Sequence, residues 1–159
     1  MMDGTIRSFR INHQKLKPGI YVSERELFSN CFITTFDLRF KRPNVEPPME
    51  SAAMHTITHL GNVFLRNNKD WGERLVYFGP MSCRTGFYML ISGAYDEVTT
   101  IISNLVKELC EYIMAAKEIP GATAAECSNY LEHNLDLAKY YIIRYHNDLI
   151  ECLRTVYPE

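Results

Sequence analysis

His55 and His59 stand four residues apart in the stretch Met54-His55-Thr56-Ile57-Thr58-His59. On a helix that spacing puts both imidazoles on one face, about one turn apart. Two neutral ring nitrogens so placed can share an ion the size of Zn²⁺ or Fe²⁺, as in the helical zinc-protease motifs. A packed or solvated histidine pair has the same spacing, so a metal site needs a third ligand from elsewhere. Cys127 and His133 are the candidates. A thiolate with two imidazoles leaves a fourth position open for water or substrate, which is the catalytic rather than the structural arrangement.

Cys83 is the second residue with chemistry in its context. It follows Gly79-Pro80-Met81-Ser82 and precedes Arg84, in a tight turn beside a cation. A neighbouring guanidinium favours thiolate, the reactive form. The alternative is a small residue filling a strand turn. Of the other cysteines, Cys31 begins a strand pattern, while Cys110 and Cys152 lie in helical apolar patterns, so these three read as packing. Five widely spaced cysteines, an odd number, argue for reduced thiols. The N-terminus, Met1-Met2-Asp3-Gly4-Thr5, is polar and lacks the apolar core of a signal peptide, which makes the expected address cytoplasmic.

These residues need elements to hold them. Residues 31–40 alternate, with Phe32, Thr34, Phe36, Leu38 and Phe40 on the core face and Ile33, Thr35, Asp37 and Arg39 pointing away. Residues 41–48 carry three prolines and read as a loop. Ser51 is placed to cap a helix over 51–68, with Met54, Ile57, Leu60, Phe64 and Leu65 at helical spacing. A polar turn over 67–72 surrounds the only tryptophan, Trp71, and short strands follow at 74–78 and 85–92. Asp96 opens an amphipathic helix with Val98, Ile101, Ile102, Leu105, Val106, Leu109 and Ile113 on its apolar face, stopping before Pro120-Gly121. A last helix covers 134–155, with Ala138, Tyr141, Ile142, Tyr145, Leu149 and Cys152 on one side. Strands in the first half and helices in the second predict an α+β fold, an antiparallel sheet with helices packed on it.

The chain has 159 residues, the size of one domain, here 1–159. Its 47% hydrophobic and 23% charged residues are ordinary for a globular protein. The net charge of −2 is scattered without a basic stripe, so no nucleic-acid partner is expected. No apolar run approaches the roughly 18–20 residues that cross a bilayer, so no membrane partner is expected either.

Taken together the segments resemble the S-ribosylhomocysteine lyase family (LuxS, autoinducer-2 synthase). The matching pieces are Ser8-Phe9 with His13, Phe36-Asp37-Leu38-Arg39-Phe40, His55-Thr56 with His59-Leu60, and Arg66-Asn67. The most specific is Pro80-Met81-Ser82-Cys83-Arg84-Thr85-Gly86-Phe87-Tyr88-Met89, and Cys127, Tyr130 and His133-Asn134-Leu135 complete a collinear series. The resemblance implies that His55, His59 and Cys127 bind one Fe²⁺ or Zn²⁺ ion, with water completing a tetrahedron. It implies that Cys83 is the catalytic acid–base and that Ser8, His13, Arg39 and Arg66 surround the substrate. It further implies a homodimer with active sites at the interface, for which 36–40 and 87–88 are aromatic-rich enough to supply apolar surface. The family's reaction splits S-ribosylhomocysteine into homocysteine and 4,5-dihydroxy-2,3-pentanedione, the precursor of autoinducer-2.

The departures from the family cluster around chemistry and substrate charge. Thr58 stands where the family has a glutamate immediately before its second metal histidine, and a threonine hydroxyl does not ionise near neutral pH. Tyr77 replaces an aspartate that helps hold the substrate ammonium. Asn12 replaces an aspartate before His13, and Ser82 and Ser128 replace glycines. Glu126 and Asp37 are the carboxylates available to take over from the missing glutamate. The expectation is therefore a lyase with weakened catalysis. The alternatives are an enzyme for another small sugar or thioether substrate, and a non-catalytic, metal-containing binding protein.

Overall fold

The computed structural model describes residues 6–93 and 96–159; the polar stretch 1–5 lies outside the described residues. Among these residues four strands form one antiparallel sheet: β1 (Gly19–Phe28), β2 (Cys31–Arg39), β3 (Leu75–Pro80) and β4 (Gly86–Ser92), in the order β1-β2-β4-β3. The same described residues hold three α-helices, α1 (Ser51–Arg66), α2 (Thr100–Ala115) and α3 (Leu135–Glu151). Helix α1 packs on β3, α3 touches β1, and α2 closes against both helices. This is the expected α+β arrangement. Among the described residues no helix is long and apolar enough to cross a membrane.

Strand β1 was not anticipated. Its apolar start, Ile20-Tyr21-Val22, runs into Ser23-Glu24-Arg25-Glu26, and a register irregularity between Val22 and Glu24 breaks the two-residue period. It is an edge strand that leaves the core after its third residue, so its second half carries no burial signal.

Strand β2 buries Phe36 and Leu38, and Phe40 just past its end, in the core, as the alternation requires. Its opposite face departs from expectation, since Asp37 is only 1% exposed and Arg39 only 3%. The cause is the C-terminal tail, which returns across that face. Ile20 N–H donates to the Arg154 carbonyl at 2.9 Å, and the Tyr157 ring stacks on Tyr21 with centroids 4.6 Å apart. Because Phe36, Phe40 and Phe87 lie in the core, they supply no apolar surface for an interface.

Helix α1 buries Met54, Ile57, Leu60 and Leu65, with Phe64 half-buried. Ser51 does not cap it: Glu50 holds the N-cap position, and the Ser51 hydroxyl donates to Glu132 Oε1 at 2.6 Å. Gly61 lets the helix press onto β3, because a Cβ there would lie 2.3 Å from the Phe78 ring. Helix α2 begins after Thr99, whose hydroxyl accepts from Ile102 N–H, rather than at Asp96, and it ends at Ala115. Ile101, expected on its apolar face, is 60% exposed. Asn134 caps α3, which stops at Glu151 rather than 155. Cys110 is core as expected, but Cys31 and Cys152 are exposed, one at the tip of the β1–β2 hairpin and the other just past α3.

Candidate metal centre

The residues between α2 and α3 pass beneath α1 and bring Cys127 and His133 to the histidine face. His55 Nε2 lies 3.1 Å from His59 Nε2 and 3.4 Å from Cys127 Sγ. The other ring nitrogens set the protonation. His55 Nδ1 faces the Glu132 carbonyl at 2.8 Å and His59 Nδ1 faces the Pro120 carbonyl at 2.7 Å. A carbonyl only accepts, so both Nδ1 atoms carry a hydrogen, and in the neutral rings that metal binding requires both Nε2 atoms present bare lone pairs. Two bare lone pairs and a sulfur facing one point repel one another unless a cation lies between them. A tetrahedral ion with metal–nitrogen near 2.0–2.1 Å and metal–sulfur near 2.3 Å separates its donors by roughly 3.3–3.6 Å. The sulfur–nitrogen distance falls in that range and the nitrogen–nitrogen distance about 0.2 Å short of it, and the chemistry of the donor set suits Zn²⁺ and Fe²⁺ alike.

His133 belongs to the same cluster, its ligand atom within 4.8 Å of the other three. Its tautomer follows from Thr56. The Thr56 hydroxyl donates to the Ala52 carbonyl at 2.9 Å, so its lone pairs accept both Asn134 N–H and His133 Nδ1–H, each at 3.0 Å. His133 Nε2 is then bare, buried and without a hydrogen-bond partner among the described residues. The His133 ring stacks on His55 at 4.0 Å, tilted by 22°. A near-parallel ring sends its lone pair alongside an ion in the His55 plane rather than at it. That geometry favours Cys127 over His133 as the third ligand, with His133 packed against the set. Burial first, and then the charges of His55 and His59, hold His133 below the ordinary histidine value.

Cys83 sits in the β3–β4 turn, which Arg84 N–H closes onto the Met81 carbonyl at 3.0 Å. Arg84 takes the left-handed conformation there, with φ of 57°. The expected cation is the wrong one, because Arg84 Nη1 turns away to the Met49 carbonyl at 3.3 Å. Arg39 takes its place, with Nη1 4.0 Å from Cys83 Sγ and 2.6 Å from Thr85 Oγ1. Thr85 Oγ1 also lies 3.1 Å from the sulfur. A guanidinium only donates, so the threonine accepts from Arg39; toward Cys83 it donates to a thiolate or accepts from a thiol. Burial is the strongest single influence on Arg39 and works against its charge, but the Asp37 charge and hydrogen bonds, with Cys83 and Tyr157, together raise the guanidinium above its ordinary value.

Thr58 lines a cavity of about 280 Å³ with His55 on one side and Pro80, Met81 and Ser82 on the other, so the Cys83 loop borders the histidine helix. Ser8 and Tyr77 come together on a second cavity, of about 660 Å³, which Tyr88 and Glu24 also line. The Tyr77 phenol lies over Gly79, where a Cβ would meet its hydroxyl. His13 is half-buried in the turn after the first 3-10 helix (Arg7–Arg10). Arg66 is spent on β3, with Nη1 donating to the Leu75 carbonyl at 3.2 Å. Asn12 closes its own turn by accepting from Lys15 N–H at 3.3 Å. Neither spare carboxylate is idle: Asp37 is paired with Arg39, and Glu126 Oε2 accepts from Thr123 Oγ1 at 2.8 Å. Thr85 and Thr56 were missed by sequence reasoning, since a buried threonine beside a candidate has no local pattern of its own.

A set of donors shaped for one divalent ion, with a thiol on the neighbouring loop of a small α+β protein, defines a class of metal-binding proteins. The family model S-Ribosylhomocysteinase (LuxS) matches residues 6–155, and the chain belongs to that family. It is 52% identical over 142 residues to the S-ribosylhomocysteine lyase of Borreliella afzelii strain PKo, covering 88% of each chain. The lyase of the same name from Clostridium beijerinckii is 47% identical over 147 residues, covering 91% of each. That of Finegoldia magna is 48% identical over 157 residues, covering 97% of this chain and 98% of the relative.

Proposed function

We propose that the protein is a metal-dependent S-ribosylhomocysteine lyase, a carbon–sulfur lyase that releases homocysteine and 4,5-dihydroxy-2,3-pentanedione. The observation that carries the reading is the convergence of two bare Nε2 atoms and Cys127 Sγ on one point, in a member of this family. His55, His59 and Cys127 hold one Fe²⁺ or Zn²⁺ ion per chain, which when bound supplies Lewis acidity to a sugar oxygen. Cys83 moves the protons. As thiolate it takes a proton from a carbon beside a carbonyl and returns it to the neighbouring carbon, so the carbonyl shifts along the sugar. A further proton removal lets the electron pair expel sulfur, which leaves as the homocysteine thiol once protonated. Arg39 and Thr85 stabilise negative charge on the Cys83 sulfur, and Ser8, His13 and Tyr77 face the substrate, whereas Arg66 is held on the β3 backbone.

The second acid–base is the weak point. Thr58 does not ionise, and Asp37 and Glu126 are engaged elsewhere. Losing a positioned general base forfeits roughly 10²–10⁴ in rate, so the wild-type reaction is slow. The cavity shared by Ser8 and Tyr77 supports a second reading, a related sugar or thioether substrate without the ammonium group, because a phenol has no charge to offer it. The active form is a homodimer with its sites at the interface; Phe9, beside Ser8, is 73% exposed and Leu131, near the centre, is 80% exposed. Metal-loaded protein incubated with S-ribosylhomocysteine should release titratable thiol and should scatter light as about twice 18.5 kDa. No thiol release and no substrate binding would end the lyase reading, and an 18.5 kDa particle would end the dimer.

A further inference from the structure

Tyr157 lies beyond the residues 6–155 that the family matches, yet its hydroxyl reaches the buried pair behind Cys83. It donates to Asp37 Oδ2 at 2.8 Å, the same oxygen that accepts Arg39 Nη2–H at 2.6 Å. Asp37 Oδ1 accepts Arg39 Nε–H at 3.1 Å, which completes a two-pronged fork. The third arm of the guanidinium, Nη1, is thereby aimed at Thr85 and Cys83. A continuous path of hydrogen bonds therefore runs from the C-terminal tail to the thiol.

The hydroxyl supplies a constraint that the fork lacks. The outer torsion of an aspartate is broad, and a carboxylate held by one guanidinium can swing with it as a unit. A second donor on Oδ2, coming from a different segment, fixes the carboxylate plane and with it the direction of Nη1. Tyr157 is well placed to be that fixed point. Its ring stacks on Tyr21 at 4.6 Å with only 10° between the planes, and Tyr21 is anchored in turn by donating to the Lys17 carbonyl at 2.8 Å. Burial, and then the Asp37 charge, push the Tyr157 phenol above its ordinary value, so it stays a donor.

We propose that Tyr157 is a positioning residue for Cys83: acting through Asp37, its hydroxyl holds the Arg39 guanidinium beside the sulfur. The inference rests on the reading of Cys83 as the acid–base.

Tyr157→Phe keeps the ring and its stacking and removes only the hydroxyl. Two experiments are run on the metal-loaded protein: alkylation of Cys83 by iodoacetamide, its rate followed on the peptide by mass spectrometry, and steady-state kinetics giving kcat and KM for S-ribosylhomocysteine. Losing one such hydrogen bond should slow alkylation about threefold and lower kcat by a similar factor, alongside a fall of a few degrees in melting temperature. In an Arg39→Lys background, where the fork is already gone, the same substitution should change neither rate. Alkylation at the wild-type rate in Tyr157→Phe would overturn the proposal, as would a loss that persists undiminished in Arg39→Lys. Wild type that alkylates readily but cleaves no substrate would defeat the lyase reading alone, and the alkylation comparison would still decide the role of Tyr157.

Discussion

Thr58 turns its hydroxyl back along α1 to the Met54 carbonyl, at 2.7 Å, from a position that borders the cavity beside His55. The side chain satisfies itself locally and offers the cavity no acid or base. A glutamate there would lose that local bond, gain helix propensity and extend its carboxylate toward the donor cluster. Thr58→Glu should therefore raise thiol release from S-ribosylhomocysteine by at least about tenfold, the low end of a general base's contribution. Adding Tyr77→Asp should lower KM further through the ammonium. A wild type faster than Thr58→Glu would mean that another group is the base.

The two cysteines should separate cleanly by metal content. After anaerobic reconstitution the wild type should hold about one Fe or Zn per chain by elemental analysis. Cys127→Ala should lose it, whereas Cys83→Ala should retain it while losing thiol release. Equal metal content in the two variants would refute the division of roles.

His133 predicts a pH dependence in the metal-free protein. Its folded value lies below the ordinary 6.5, so in that window the unfolded chain binds a proton that the folded chain does not. Its contribution to stability is complete above about 6.5 and is lost as pH falls through the depressed folded value. Thermal melts after chelation should show Tm falling from pH 7.5 to 5.5, less steeply in His133→Gln. Parallel slopes for the two proteins would assign the acid loss to other groups.

Gly61 predicts an unusual helix substitution. Alanine normally gains roughly 1 kcal/mol over glycine in a helix interior. Here its Cβ would stand 2.3 Å from the Phe78 ring, which is buried and unable to retreat without disturbing β3. Gly61→Ala should destabilise by about 1–3 kcal/mol in urea unfolding, as overpacking does. Phe78→Leu in the same chain should recover part of the loss, and a stabilised Gly61→Ala would show that the contact gives way easily.

The amino-acid sequence determined a good deal unaided. The histidine pair, the alternation of β2 and the apolar stripes of α1, α2 and α3 are local periodicities, and local periodicity is what a linear string records. The collinear pieces from Ser8 to Leu135 carried the family, and with it the expectation that Cys127 joins the pair. Other features depended on tertiary structure because they join residues far apart in the chain. The cation beside Cys83 is Arg39 rather than its neighbour Arg84, since the left-handed turn sends Arg84 toward Met49 while the strand pairing brings Arg39 opposite Gly86. The buried second face of β2 follows from a tail more than a hundred residues away, and alternation within the strand cannot show what lies on top of it. The histidine tautomers rest on carbonyls of Pro120 and Glu132 and on the hydroxyl of Thr56, none of them marked by residue type. Residue types state which chemistry is available; which proton sits on which nitrogen, and which cation faces which sulfur, follow only once packing has brought the partners together.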